Sequence, residues 1–455
     1  MRLMFFVLVV TCVLLSPAMA QQGVGWRTDG TGRYLQADPP TEWAKDKNVI
    51  WATPMPAWSN ATPILVGDKI FVCSQPTTLV CVNAADGKVL WQKTNTYMDI
   101  LAPAEAAQAK KDLAAADALY KKMDPIKKEF NRVRRELRKK PKDEALLTQA
   151  KDLRAKMRDL QKQIKPLDTY RPPPTHPVNG HSTCTPVSDG KKVWVLFGTG
   201  VAACYDLDGN RVWAKLVEKP TQGYGQSASP LLLGDKFIVH ILSLVALDKA
   251  SGEQLWQAKA PSKFGSIVHA RAGDVDVVCC AGGDVIRVAD GAALARRLGN
   301  LTYCAPVVDG RTVYYVETGG RGVRLGEIAE DKIKTERLWQ TKPKKDRYYA
   351  SPVVHDGLIY AVTQKGILSA IDAKDGKVVY EQDLKLGKGT VYPSIALAGK
   401  YLFVSSDNGT TVIAKPGRTF EEVARNSLET FRACPVFVGN RLYIRAYKKL
   451  YCIGT

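Results

Sequence analysis

Histidine is scarce: there are five in 455 residues, and no two stand at a spacing that would set both on one metal. The chain also has no CxxC and no CxxCH, which leaves a zinc ribbon or a covalently attached c-type haem without support. Beyond residue 20 no apolar run approaches the length of a bilayer span. Helical periodicity is missing everywhere except one segment, which excludes helical and leucine-rich repeats as the main architecture. Acid is in short supply too. Asp and Glu number 45 against 65 Lys and Arg, a formal charge of +20.

What is present begins with an export signal. "MRLMFFVLVVTCVLLSPAMAQQ" has one Arg, an apolar run and the small-x-small triplet Ala18-Met19-Ala20, which predicts a leader over residues 1–20, cleaved after Ala20. A lipoprotein site at Cys12 is disfavoured, because Thr11 stands where a smaller residue is wanted. Losing Cys12 with the leader turns ten cysteines into nine, so at least one thiol is unpaired and no disulfide framework is built. A Cys73–Cys81 bridge across a hairpin, or one between Cys279 and Cys280, stays open. On an exported chain the excess base points to anionic envelope polymers or lipid headgroups and away from nucleic acid.

The body of the chain repeats. One element is a short strand with proline, a turn, and a hydrophobic strand: "NATPILVGDKIFV" from Asn60, "TCTPVSDGKKVWV" from Thr183, "SASPLLLGDKFIV" from Ser227. It returns from Tyr303, Tyr349 and Arg432, with worn copies from Val268 and Val391, making eight. A second element follows most copies, as in "CVNAADGKVLW", "ALDKASGEQLW" and "AIDAKDGKVVY": a strand, an acidic-glycine turn, and a strand closed by an aromatic ring. Four strands per unit, alternating β-branched and aromatic residues between Asp-Gly and Gly-Asp turns, predict an all-β, eight-bladed β-propeller. The last copy ends at "LYCIGT" without its aromatic strand. "NVIWATPM", Asn48–Met55, has the right form to supply it from the other end, placing Trp51 in the slot of Trp91, Trp213, Trp256 and Trp339.

One stretch breaks the pattern. Leu146, Ala150, Leu153, Met157, Leu160 and Ile164 recur at heptad spacing, as do Tyr120, Met123, Ile126, Phe130, Val133 and Leu137. An antiparallel helical hairpin is expected, turning at Lys140-Pro141-Lys142, with Pro125 kinking or restarting its first helix. From Pro103 to Lys165 stand 19 Lys and Arg and 10 Asp and Glu, so this arm carries +9 of the +20. The expected division is residues 1–20 leader, 21–102 closing strand and first blade, 103–166 helical hairpin, and 167–455 the remaining blades.

In "AxDxxxGxxxW" the Asp can cap the turn, the Gly supplies positive φ, and the Trp buries a large ring. Gly87, Gly209, Gly252 and Gly376 with Trp91, Trp213, Trp256 and Tyr380 follow this spacing. The repeat resembles the tryptophan-docking motif of the PQQ-binding-like eight-bladed β-propellers. That superfamily includes quinoprotein alcohol and glucose dehydrogenases and the propeller component of the outer-membrane protein assembly machinery. The resemblance covers nearly everything outside the leader and the arm, and it implies the fold without choosing an activity. It also implies that the aromatic rings are structural.

Chemistry is harder to find. "GTGVAA", Gly198–Ala203, mimics a dinucleotide loop, but a strand follows it where a helix N-terminus is needed, so a hairpin turn is expected. Cys279-Cys280 resembles the adjacent-cysteine disulfide of some quinoprotein dehydrogenases but reads as the end of a hydrophobic strand. Such an enzyme would need PQQ, a calcium site of carboxylate and amide oxygens, and a catalytic Asp. No catalytic or metal-binding residue is assigned. The residues just before each proline should reach the mouth of the central channel. These are Trp58, Asn60, His181, Tyr303, Arg347, Tyr348, Tyr349 and Arg432, aromatic faces beside cations and amides that suit a quinone, a sugar or an extended peptide. The expected function is an exported binding or envelope-assembly scaffold, its partner a protein or anionic polymer at the mouth or the arm. The alternative is a PQQ-dependent alcohol or sugar dehydrogenase.

Overall fold

The computed structural model describes residues 24–454; the expected leader, with Cys12 and the cleavage point, lies outside them. Among the described residues eight sheets follow one another, each with four antiparallel strands in order from the innermost outward, and one of them gains a fifth strand. Blade 1 runs from Ile64–Val66 on the inside to Val89–Thr94 on the outside. The innermost strands of blades 2 to 7 are Val187–Ser188, Leu231–Leu233, Val268–Ala272, Val307–Asp309, Val353–His355 and Ala396–Ala398. Blade 8 is built from both ends of the chain. Val436–Val438 lies innermost, and Val49–Pro54 pairs antiparallel with Lys449–Gly454 as the outermost strand, as the sequence predicts.

Each blade is covered on both faces by its neighbours, so the middle strands bury most of their side chains. Val193–Leu196 and Val201–Cys204 are at most 1% exposed. Outer strands alternate between packed and solvated, and most carry a register shift beside the aromatic position.

That bulge sends the ring toward the next blade. Trp51 lies on Gly87, where a Cβ would fall 2.7 Å from the indole, and its Nε1 donates to Ala84 O at 3.2 Å. Trp91 meets Gly209, Trp213 meets Gly252, Trp256 meets Gly291 and Trp339 meets Gly376, each indole donating to a carbonyl of the turn it covers. The glycine and the tryptophan of one motif thus serve different seams. Only Gly can hold the left-handed turn and let an indole lie flat on it. Tyr380 fills the slot between blades 6 and 7 through its ring, 6.4 Å from Phe420, with its hydroxyl unpaired.

Two seams lack a docked ring. Between blades 4 and 5 the outer strand Ala293–Ala295 is short and apolar. The ten-residue strands Gly320–Ala329 and Lys332–Thr341 of blade 5 extend across it, with Asp331 paired to Arg287 at 2.8 Å. Between blades 7 and 8 the segment after Gly32 does the work. Arg33–Tyr34 adds a parallel strand to blade 7, Tyr34 lies edge-on to Phe437, and Trp43 stacks on Phe403.

The arm is two helices, Pro103–Lys139 and Glu144–Leu167, packed on each other along the predicted heptad positions. The first runs through Pro125 without a break, so the expected restart does not occur. Asp143 caps the second helix by accepting from Leu146 N. At the root, Arg171 bridges Asp117 and Asp168 and lies over Tyr120.

Candidate functional site

The residue before each proline, or before the Ile that replaces it in blades 4 and 7, builds a belt around the axis. Thr62 N donates to Thr185 Oγ1, Thr185 N to Ser229 Oγ, and Ser229 N to Ser266 Oγ. Ala305 N donates to Ser351 Oγ, Ser351 N to Ser394 Oγ, Ser394 N to Cys434 Sγ, and Cys434 N back to Thr62 Oγ1. The circuit passes every blade and misses one link, because Ala305 offers Ser266 no side-chain acceptor. It establishes that the blades close into a ring.

Strand alternation puts the residue two positions earlier on the same side. These eight, Asn60, Thr183, Ser227, Phe264, Tyr303, Tyr349, Tyr392 and Arg432, all line one funnel of about 570 Å³ above the belt. Trp26, from the segment preceding blade 1, also lines it. Beside Trp26, Arg27 is fully buried with Nη2 donating to Pro352 O and Ile395 O, and burial lowers its pKa.

The wall has two characters. Blades 4 to 7 form a ladder of rings: Phe264 stacks on Tyr303 at 5.8 Å, Tyr303 meets Tyr349 edge-on at 4.9 Å, and Tyr349 stacks on Tyr392 at 4.8 Å. Arg432 ends it, its guanidinium 4.6 Å from the Tyr392 ring and 3.2 Å from Asp407. Blades 1 to 3 are small and polar. Residues 175–180, just after the arm, lie against that side, with Val178 O accepting from both Asn60 Nδ2 and Arg432 Nη1.

The structure gathers five of the eight residues expected at the mouth: Asn60, Tyr303, Arg347, Tyr349 and Arg432. Tyr348 turns the other way, 1% exposed in the core, with its hydroxyl on Lys344 O. Trp58 packs on Tyr447 outside the lining residues. His181 sits between blades 1 and 2, where burial lowers its pKa and Nδ1 has no partner. His240 is also buried, with Nε2 on Ala260 O. Phe264 and Tyr392 were out of reach of a proline-anchored reading, since Ile267 and Ile395 stand where the other blades have Pro.

The nine described cysteines are all free and buried. Cys73 pairs with Leu79 and Cys81 with Trp91, so Cys73 and Cys81 do not face each other. Cys279 and Cys280 end a core strand of blade 4, away from the funnel, and burial pushes the Cys279 thiol up to about 12. Gly198–Val201 is a hairpin turn, as expected. The donor set does not suit PQQ with calcium. The funnel is lined by hydroxyls, amides, rings and guanidinium groups with no carboxylate, while calcium asks for several. Asp407 and Glu317, outside the lining residues, are already engaged, the first by Arg432 and Thr390 N and the second by the Thr302 and Tyr303 amides. Among the described residues no group of three His, Cys, Asp or Glu is placed to hold a metal.

A ring of four-stranded blades docked by tryptophans over a central funnel defines the PQQ-like β-propellers. The chain belongs to the family described as outer membrane protein assembly factor BamB, which matches residues 30–122, 174–325, 281–382 and 336–455. Among solved structures it is similar to BamB from Moraxella catarrhalis, at 11% identity and a TM-score of 0.55, covering 90% of this chain and 99% of that one. A quinohemoprotein alcohol dehydrogenase from Pseudomonas putida HK5 matches at 10% identity and a TM-score of 0.44, over 92% of this chain and 78% of that one. No curated protein matches. Among the described residues no helix is long and apolar enough to cross a membrane.

Proposed function

We propose that this chain is a non-catalytic binding scaffold of the bacterial envelope that receives an extended stretch of a protein partner in its funnel. The observation that carries the reading is the pairing of the Phe264–Tyr303–Tyr349–Tyr392 ladder with a floor of hydroxyls. Each belt hydroxyl spends an acceptor site on a neighbouring N–H and keeps its proton to donate. An extended peptide presents carbonyl oxygens to such a floor and side chains to the rings. The resemblance to the assembly-factor family supports a protein partner and an envelope location, and the predicted leader supports export.

The test is photocrosslinking from position 303 in cells, with position 212 on an outer strand as control. Discrete adducts with envelope proteins are expected from 303 only, lost in Tyr349→Ala/Arg432→Ala while the melting temperature holds, because rim side chains carry little core packing. Uptake of PQQ with calcium and dye-linked alcohol or sugar oxidation would instead establish the dehydrogenase.

A further inference from the structure

A second cavity, about 870 Å³, opens where the linkers that carry Phe264 and Tyr303 into the funnel also flank the seam between blades 4 and 5. Five cations line it: Lys259, Lys263, Arg296, Arg297 and Arg321. They face one carboxylate, Asp284, which is 6% exposed and fully used. Its Oδ2 accepts from Arg296 Nη1 at 3.2 Å and its Oδ1 from Arg297 N at 3.2 Å. Among the described residues none of the other four cations makes an ion pair. Arg297 is also held in the left-handed region, at φ 60, a conformation an arginine adopts only when its surroundings impose it.

The buried acid therefore serves to aim Arg296 and fix the Arg297 turn, not to neutralise the cavity. Like charges gathered around one concavity repel one another and focus a positive field that a multivalent anion relieves, and the exposure of Lys259, Arg296 and Arg297 leaves them free to reach it. Three of the five are guanidinium groups, whose forked donors match the oxygens of a phosphoryl group two at a time.

We propose that this cavity binds phosphoryl groups, whether of a soluble polyphosphate or of a phospholipid headgroup. Calorimetry with inorganic pyrophosphate, and flotation with phosphatidylcholine vesicles with and without phosphatidic acid, test it. The expected result is saturable, salt-sensitive binding at one site, weakened about tenfold by Arg321→Gln and by Arg297→Asn. Asn tolerates the left-handed turn, so the second variant keeps the fold. Binding of pyrophosphate alone identifies a soluble ligand; binding of phosphatidic acid vesicles with the same sensitivity identifies a lipid headgroup; both support the site. It is overturned if neither probe binds saturably, or if both variants bind as the parent does. It is equally overturned if binding is lost instead on changing the arm residues Lys121, Lys122, Lys127 and Lys128 to Gln.

Discussion

Replacing Trp51 with Ala tests whether the two chain ends hold the ring shut. The half-buried indole covers roughly 100 Å² of apolar surface, worth about 2.5 kcal/mol at about 25 cal/mol per Å². Its hydrogen bond to Ala84 O, 3.2 Å long, contributes about 1 kcal/mol more. The expected loss is therefore about 3–4 kcal/mol, or about 4 °C in melting temperature for a chain of this size. Urea unfolding followed by circular dichroism measures it, with Trp213→Ala as the internal standard, because that indole docks on Gly252 and donates to Lys249 O at 3.0 Å in the same way. Gly87→Ala attacks the seam from the other side, and the two substitutions should couple by about 1 kcal/mol or more. A Trp51→Ala protein that unfolds like the parent while Trp213→Ala is weakened would refute closure by Val49–Pro54.

Ala305→Ser supplies the missing belt acceptor for Ser266 N and should raise stability by about 1 kcal/mol in urea unfolding; a loss would mean the added oxygen has no room. His240 gives a pH dependence. Burial lowers its pKa, so the unfolded chain takes up a proton that the folded one refuses, and stability falls as pH drops below the ordinary histidine value of about 6.5. Each such histidine contributes at most about 1.4 kcal/mol per pH unit, and His240→Gln should reduce the slope between pH 7 and 5, leaving the part of the same sign that His181 supplies.

The fold was legible because its signals are local and repeated. Turn chemistry, β-branched alternation and a fixed aromatic-to-glycine spacing recur often enough that two degraded blades could be placed by their neighbours. Closure was legible because one copy ended a strand short. Much of the site was not, for a geometrical reason. Pointing toward the axis depends on strand parity, so Tyr349 lines the funnel while Tyr348, one residue away, is core. Phe264 and Tyr392 obey the same parity, but the proline that marks the register elsewhere is Ile in their blades. Trp26 was invisible to any repeat-based reading, since its place is fixed by the fold of a segment that belongs to no blade. The helix through Pro125 survives because the heptad contacts on either side outweigh one lost hydrogen bond.

The two seams without a docked ring have a consequence for the funnel's shape. They divide the ring into an arc of five blades, 8 to 4, and an arc of three, 5 to 7. The smaller arc carries Tyr303, Tyr349 and Tyr392, the first pair edge-on and the second stacked, and meets the larger arc in the funnel through Phe264 and Arg432. Its two joints are governed by the long blade 5 hairpin and by residues 33–43, neither of which is part of the repeat. Those two clasps thus set how the three-blade arc meets the rest of the ring. Lengthening, trimming or repacking them would advance or withdraw the three tyrosines against the polar wall while every repeat stayed as it is.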